Sequence, residues 1–286
     1  MSLYRDFATQ EEIDAEYNVL GNVADPEAAI QGWVERSNAA IARLDCRLDV
    51  AYGPTLAECC DVFLAGPGAP LHVFIHGGYW RRFSARDHDF VAPALVGAGL
   101  TTAVVNYALC PIVSIDEIVR QVRASIAWAF RHGGEFGADT SRLTISGHSV
   151  GGHLVAMALA TDWRGGYGLP PDFIKGAVAI SGVYDLGFVP YSYAQPKVQA
   201  TWDQALRLSP IQHLPPAGPP LLVAVGGNET AEFRRQSRDF LAAWRAAGLP
   251  GSYLEPAAKH HLTVLEELEK PESELCRELV RIARAA

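Results

Sequence analysis

The sequence predicts an α/β fold: a mostly parallel, eight-stranded sheet with helices on both faces. Three observations carry this expectation. Short β-rich segments are apolar almost throughout instead of alternating, as strands buried on both faces are. They alternate along the chain with longer stretches of helical periodicity. Finally, Gly147-His148-Ser149-Val150-Gly151 stands where one such strand gives way to a helix, the context a G-x-S-x-G turn requires.

In chain order, Asp25-Pro26-Glu27 offers an N-cap followed by proline at the first helical position, and Ile30, Trp33, Val34, Ile41 and Leu44 then recur at helical spacing. Residues 1–45 therefore read as a helical N-terminal extension. Strands are expected at 48–52, 60–64, 71–75, 101–106, 142–145, 174–181, 221–225 and 252–255. Between the fourth and fifth, Ser114 can cap a helix with Glu117 three residues on; Ile115, Ile118, Val119, Val122, Ile126 and Phe130 supply its apolar stripe, and Gly133 ends it. Further helices begin near Ser149 and Ala231, and a C-terminal helix is interrupted near Pro271. Only residues 184–214, rich in Pro, Tyr and Gln, break the rhythm, and they read as a short cap-like insertion over the strand ends. No repeat or low-complexity tract divides residues 1–286, so one domain is expected.

Composition excludes several classes of function. With 32 acidic against 24 basic residues and a net charge of −8, the chain has no basic footprint for nucleic acid or anionic lipid. Met1 to Asp6 lacks a basic segment followed by an apolar one, and no run of about 18 apolar residues occurs, so a cytoplasmic location away from membranes is expected. Cys46, Cys59, Cys60, Cys110 and Cys276 are odd in number and lack metal-ligand spacing, which argues against a disulfide framework or zinc. No H-E-x-x-H or comparable cluster is present, and neither metal nor cofactor is expected.

The chemistry concentrates in two glycine-containing stretches. A serine on so tight a turn adopts a strained backbone, and its neighbours two residues away, Gly147 and Gly151, must lack side chains. The turn sets Ser149 at a helix N-terminus, where negative charge is favoured. His76-Gly77-Gly78-Tyr79-Trp80 comes directly off the strand ending at Ile75. Adjacent glycines let main-chain N–H groups approach an oxyanion, so the donors are assigned to Gly78 and Tyr79, joined by Val150 after the nucleophile. His76 reads as a brace for this loop. A neutral serine needs a general base, and the base an orienter. In enzymes with this elbow the acid follows the nucleophile and the histidine comes last. Glu229, just after the strand 221–225, is the acid of choice, with Asp185 as its rival. The base is then His260 or His261; His261, directly before Leu262, is chosen, and His260 reads as a solvated neighbour.

These stretches resemble the kynurenine formamidase (arylformamidase) branch of the α/β-hydrolase superfamily. The resemblance rests on His76 to Trp80, on Ser146-Gly147-His148-Ser149-Val150-Gly151-Gly152-His153-Leu154, on Ser181-Gly182-Val183-Tyr184-Asp185-Leu186, and on the run Glu229 to Ser237, and it spans nearly the whole chain. The H-G-G-Y-W form is the more specific signal, because esterases of the hormone-sensitive-lipase type usually carry a third glycine where Tyr79 stands. The family's nucleophile, acid and histidine fall on Ser149, Glu229 and His261. The sequence departs from the pattern in having Glu at 229 for the commoner Asp, Val150 for Ala, and His260 for Asp or Asn. The resemblance implies a serine hydrolase that cleaves an aryl formamide such as N-formylkynurenine through an acyl-enzyme; a carboxylesterase for short-chain esters is the alternative. Trp80 and the insertion from Tyr184 to Tyr193, Tyr184 first, are expected to wall the leaving group, with packing in the core or cap as the alternative. The expected partner is a small-molecule aryl amide or ester, and assembly as a homodimer is left open.

Overall fold

The computed structural model describes residues 2–286. Eight strands form one sheet in the order β1-β2-β4-β3-β5-β6-β7-β8: β1 Cys46–Ala51, β2 Cys59–Phe63, β3 Ala69–Ile75, β4 Thr101–Val105, β5 Ala138–His148, β6 Ile174–Ile180, β7 Leu221–Ala224 and β8 Gly251–Leu254. The first two pairings, β1 with β2 and β2 with β4, are antiparallel; every later one is parallel. The apolar strand runs follow from burial on both faces. Val73, Ile75, Ala103, Val105, Ala177 and Ala179 point into one core, whereas the intervening Phe74, Val104, Val178 and Ile180 point into the other.

Helices cover both faces. On the first lie α1 Gln10–Tyr17, α4 Ile115–His132, α5 Val150–Leu159 and α9 Ala231–Ala246, and on the second α2 Pro26–Arg43, α3 Ala92–Gly97 and α10 Glu274–Arg284. Short helices α6 Trp163–Tyr167, α7 Gln195–Val198 and α8 Trp202–Arg207 complete the set; α7 and α8 fall inside the 184–214 insertion. The Asp25 carboxylate caps α2 by accepting from Ala28 N–H at 3.0 Å, with Pro26 opening the helix as expected. Ser114 caps α4, but Glu117 turns to Arg120 and Gln121 instead of back to the Ser114 N–H. Helix α4 ends with Gly133 as its C-cap, as expected, but Gly133 stays right-handed and leads into a 3-10 turn, and the left-handed residue is Gly137, at φ 76°.

Helices α3 and α6 have no counterpart in the sequence reading, and within the expected 1–45 extension a helix precedes Asp25. Helix α1 is closed by a capping box between Thr9 and Glu12. It docks through Tyr17, whose ring stacks on Phe188 at 3.5 Å and whose hydroxyl donates to Glu232 at 2.8 Å. Among the described residues, no helix is long and apolar enough to cross a membrane.

Candidate active site

The site lies beyond the carboxyl ends of β3, β5, β7 and β8. Its centre is at the end of β3, which β4 flanks on one side and β5 on the other, the switch point at which open α/β sheets place ligands. Ser149 sits between β5 and α5 with φ 57° and ψ −124°, a left-handed backbone that a non-glycine residue adopts only where its surroundings enforce it. The enforcement is visible. A methyl group on Gly147 would lie 2.4 Å from the Gly151 carbonyl oxygen, and one on Gly151 would lie 2.1 Å from that of Ile75. The Ser149 N–H donates to the Ile180 carbonyl at 2.8 Å, pinning the turn to the end of β6.

The loops after β7 and β8 are tied to each other, with Gly227 N–H donating to the Pro256 carbonyl at 3.0 Å and Asn228 N–H to that of Lys259 at 2.9 Å. This brings Glu229 to His261, whose Nδ1–H donates to Oε2 at 2.6 Å. The other carboxylate oxygen accepts from Gly226 N–H at 2.7 Å and from the Ser181 hydroxyl at 2.5 Å. Glu229 is therefore held as an acceptor on both oxygens, and Nε2 of His261 is left for the cavity. Phe233 packs edge-on against the His261 ring at 4.7 Å, and His148 lies on its other flank at 4.6 Å. Burial, and then the neighbouring His261, push His148 well below the usual histidine range. It is thus neutral and donates Nε2–H to the His261 carbonyl at 2.8 Å. The sequence reading assigned no role to His148, Ser181 or Phe233, although all three lie within the stretches that carried the resemblance.

Asp185 is engaged elsewhere, accepting from the Tyr4 hydroxyl at 3.0 Å and the Gly187 N–H at 2.9 Å. His260 is half-buried rather than simply solvated. Its Nδ1 faces the N–H groups of Leu262 and Thr263 at 3.3 and 3.5 Å, closing the turn on which His261 stands.

The loop after β3 turns through three consecutive residues at positive φ, Gly78 at 115°, Tyr79 at 56° and Trp80 at 57°. His76 braces it: Nδ1–H donates to the Gly77 carbonyl at 2.7 Å, and the ring stacks on Tyr107 at 4.1 Å. Among the described residues, the N–H groups of Gly78, Tyr79 and Val150 are donated to no other group. The Val150 side chain is buried in the core, leaving its N–H as an unpaired first-turn donor of α5.

Ser149, His261, Gly78 and Tyr79 open onto one cavity of about 250 Å³. Its opposite wall comes from Asn18, Val19 and Leu20 after α1, Trp33 of α2, Phe83 and Tyr193. The sequence expectation for Trp80 and Tyr184 is corrected here. Both are fully buried away from the cavity. The left-handed turn tucks the Trp80 indole edge-on against His153 at 5.3 Å, and Tyr184 stacks on Phe240 at 4.1 Å. No group of three or more His, Cys, Asp or Glu side chains is placed to hold a metal ion among the described residues.

Comparison with known proteins agrees with this architecture. A family model described as alpha/beta hydrolase fold matches residues 72–265. Kynurenine formamidase of Danio rerio is 34% identical over 249 residues, spanning 84% of this chain and 82% of that protein. Kynurenine formamidase of Salmo salar is 33% identical over 263 residues, 89% of this chain and 86% of that one. Among solved structures, a protein described as a thioesterase from silicibacter sp. tm1040 superposes with a TM-score of 0.81 at 28% identity, covering 96% of this chain and 99% of that one.

Proposed function

The chain belongs to the α/β-hydrolase family and to its kynurenine formamidase branch, and from that premise we propose that it hydrolyses an aryl formamide of the N-formylkynurenine kind to the free amine and formate. One observation supports the reading above the others. A strained serine and a histidine already paired with a buried glutamate open onto a single small cavity, beside a loop whose backbone N–H groups have no other acceptor. That is the equipment of acyl transfer.

The Ser149 hydroxyl oxygen attacks the formyl carbon as its proton passes to Nε2 of His261. Glu229, accepting from Nδ1, stabilises the imidazolium that forms. The carbonyl oxygen becomes an oxyanion, and Gly78, Tyr79 and Val150 donate their N–H groups to it. Collapse breaks the carbon–nitrogen bond, with His261 returning its proton to the departing aniline nitrogen. Water then attacks the formyl ester, gives its proton to His261, and formate leaves as Ser149 recovers that proton. The small acyl group sits over the glycines, while Trp33, Phe83 and Tyr193 wall the aromatic leaving group.

Measuring kcat/KM for N-formylkynurenine and for p-nitrophenyl acetate tests the proposal. Formamide turnover well above background supports it, and formamide turnover at background beside rapid ester cleavage overturns it in favour of a short-chain esterase. That second reading shares every catalytic group and draws on the esterases among the relatives.

A further inference from the structure

The cavity carries a charge that the acyl-transfer chemistry does not use. Arg81 follows directly on the loop that supplies the Gly78 and Tyr79 donors, and its backbone N–H closes that turn onto the Gly78 carbonyl at 3.1 Å. Its guanidinium lies over the Tyr193 ring, 5.1 Å from the centroid, and lines the cavity that Ser149 opens onto. The side chain is only partly exposed, and its buried Nε has no hydrogen-bond partner. Among the described residues no carboxylate forms an ion pair with it. The acid that shares its surroundings, Asp14, is committed to the Tyr193 N–H at 2.7 Å and the Gln10 side chain.

A half-buried guanidinium with its Nε unpartnered and no carboxylate beside it has donors to spare, and a planar fork presented beside an aromatic wall matches a carboxylate. The neighbouring Arg82 also borders the cavity, but it is exposed, lies over Phe83 and is free to be hydrated. We propose that Arg81 is a specificity-determining residue that engages a carboxylate carried by the leaving group, so that the site prefers aryl substrates bearing an anionic side chain over their neutral isosteres. The acyl group occupies the Ser149 end under the glycine loop, and the leaving group extends past Tyr193 toward Arg81.

The inference rests on the formamidase reading for the identity of the leaving group, so its test uses two substrate pairs. The first is N-formylkynurenine and its α-carboxamide. The second is the acetate ester of 3-(2-hydroxyphenyl)propanoate and of the corresponding amide. Wild-type protein is expected to favour each acid over its amide by about tenfold in kcat/KM, through KM, the size of a charge-assisted hydrogen bond. Arg81→Gln should remove the preference by slowing only the acids; Arg81→Lys should restore part of it; Arg82→Gln should leave it within about twofold. Labelling of Ser149 by a fluorophosphonate at the wild-type rate certifies that Arg81→Gln is folded; should that variant fail to label, the wild-type preference and the Arg82→Gln result decide. Equal rates for acid and amide in the wild type, equal losses for both in Arg81→Gln, or loss of preference in Arg82→Gln overturns the proposal. If neither formamide is cleaved but the ester pair shows the preference, the formamidase reading fails and the Arg81 assignment stands.

Discussion

At the floor of the cavity, a single methyl group on Gly151 would press to 2.1 Å from a carbonyl oxygen; at its roof, Val19 and Leu20 are half-exposed side chains on a short 3-10 turn. The floor is positioned by backbone. Ser149, the donors after β3 and the paired loops after β7 and β8 leave strand ends whose register is set by the sheet, and close contacts forbid alternatives. The roof is positioned by side chains from segments far apart in sequence: the N-terminal turn, Trp33, Phe83 and Tyr193. Its anchor is the Tyr17 stack on Phe188 with the Tyr17–Glu232 hydrogen bond. The difference teaches that the reacting groups and the shape of the leaving-group wall are held by separable parts of the molecule, the first rigid by sterics and the second by packing that admits substitution.

The strongest challenge to that division is at the floor. Ser149→Ala and His261→Ala should each lower kcat by about 10⁴-fold or more, and Ser149→Ala should also abolish fluorophosphonate labelling. His260→Ala, which removes only the turn-closing acceptor, should stay within about fivefold of wild type; if His260→Ala is the dead variant and His261→Ala survives, base and brace are exchanged. At the roof, Leu20→Ala should raise KM for the aryl substrate by about three- to tenfold, the value of a few lost methylene contacts. Its kcat and labelling rate should be preserved; a fall in kcat matching the rise in KM would tie roof to floor and break the comparison.

The smallest effect is expected under the roof. Asp89 lies in the 3-10 turn Asp89–Val91 that seats α2, next to His88 on the cavity wall. Both its carboxylate oxygens are buried without a partner. Burial, and then the Asp61 carboxylate, push its pKa from 3.8 up to about 9. The folded protein thus holds a proton there that the unfolded chain releases above the ordinary carboxylate range, so this group's contribution to stability falls as pH rises from about 4 to about 9. Asp61, itself raised by burial, with Arg86 and Asp49 beside the pair, shares in this titration. Asp89→Asn, a neutral mimic, should raise Tm by about 2–4 °C at pH 8 and by less at pH 5, with kcat/KM unchanged. Thermal melts at the two pH values check the sign.

The same division governs what was legible in the sequence. Gly147, Gly151 and Gly78 could be read because a steric necessity leaves a residue-type signature, and the apolar strands could be read because both sheet faces are buried. The choice between Glu229 and Asp185 was not fixed by position, since both follow strands; the Gly227 and Asn228 hydrogen bonds to the loop after β8 bring Glu229 to His261, a pairing no spacing encodes. Helix α1 escaped notice because it buries only Ile13 and Tyr17 beneath an otherwise polar surface. Trp80 and Tyr184 were assigned to the wall by loop position alone, and position says nothing of which way a left-handed turn throws a side chain. Tyr193, at the far end of the expected Tyr184 to Tyr193 stretch, does line the wall, whereas Phe83 belongs to no motif.

The N-terminal segment that closes the roof is contiguous, precedes the first strand of the sheet and donates no group to bond making or breaking. Heritable change in that stretch can therefore reshape which molecules are admitted while the machinery beneath is inherited intact.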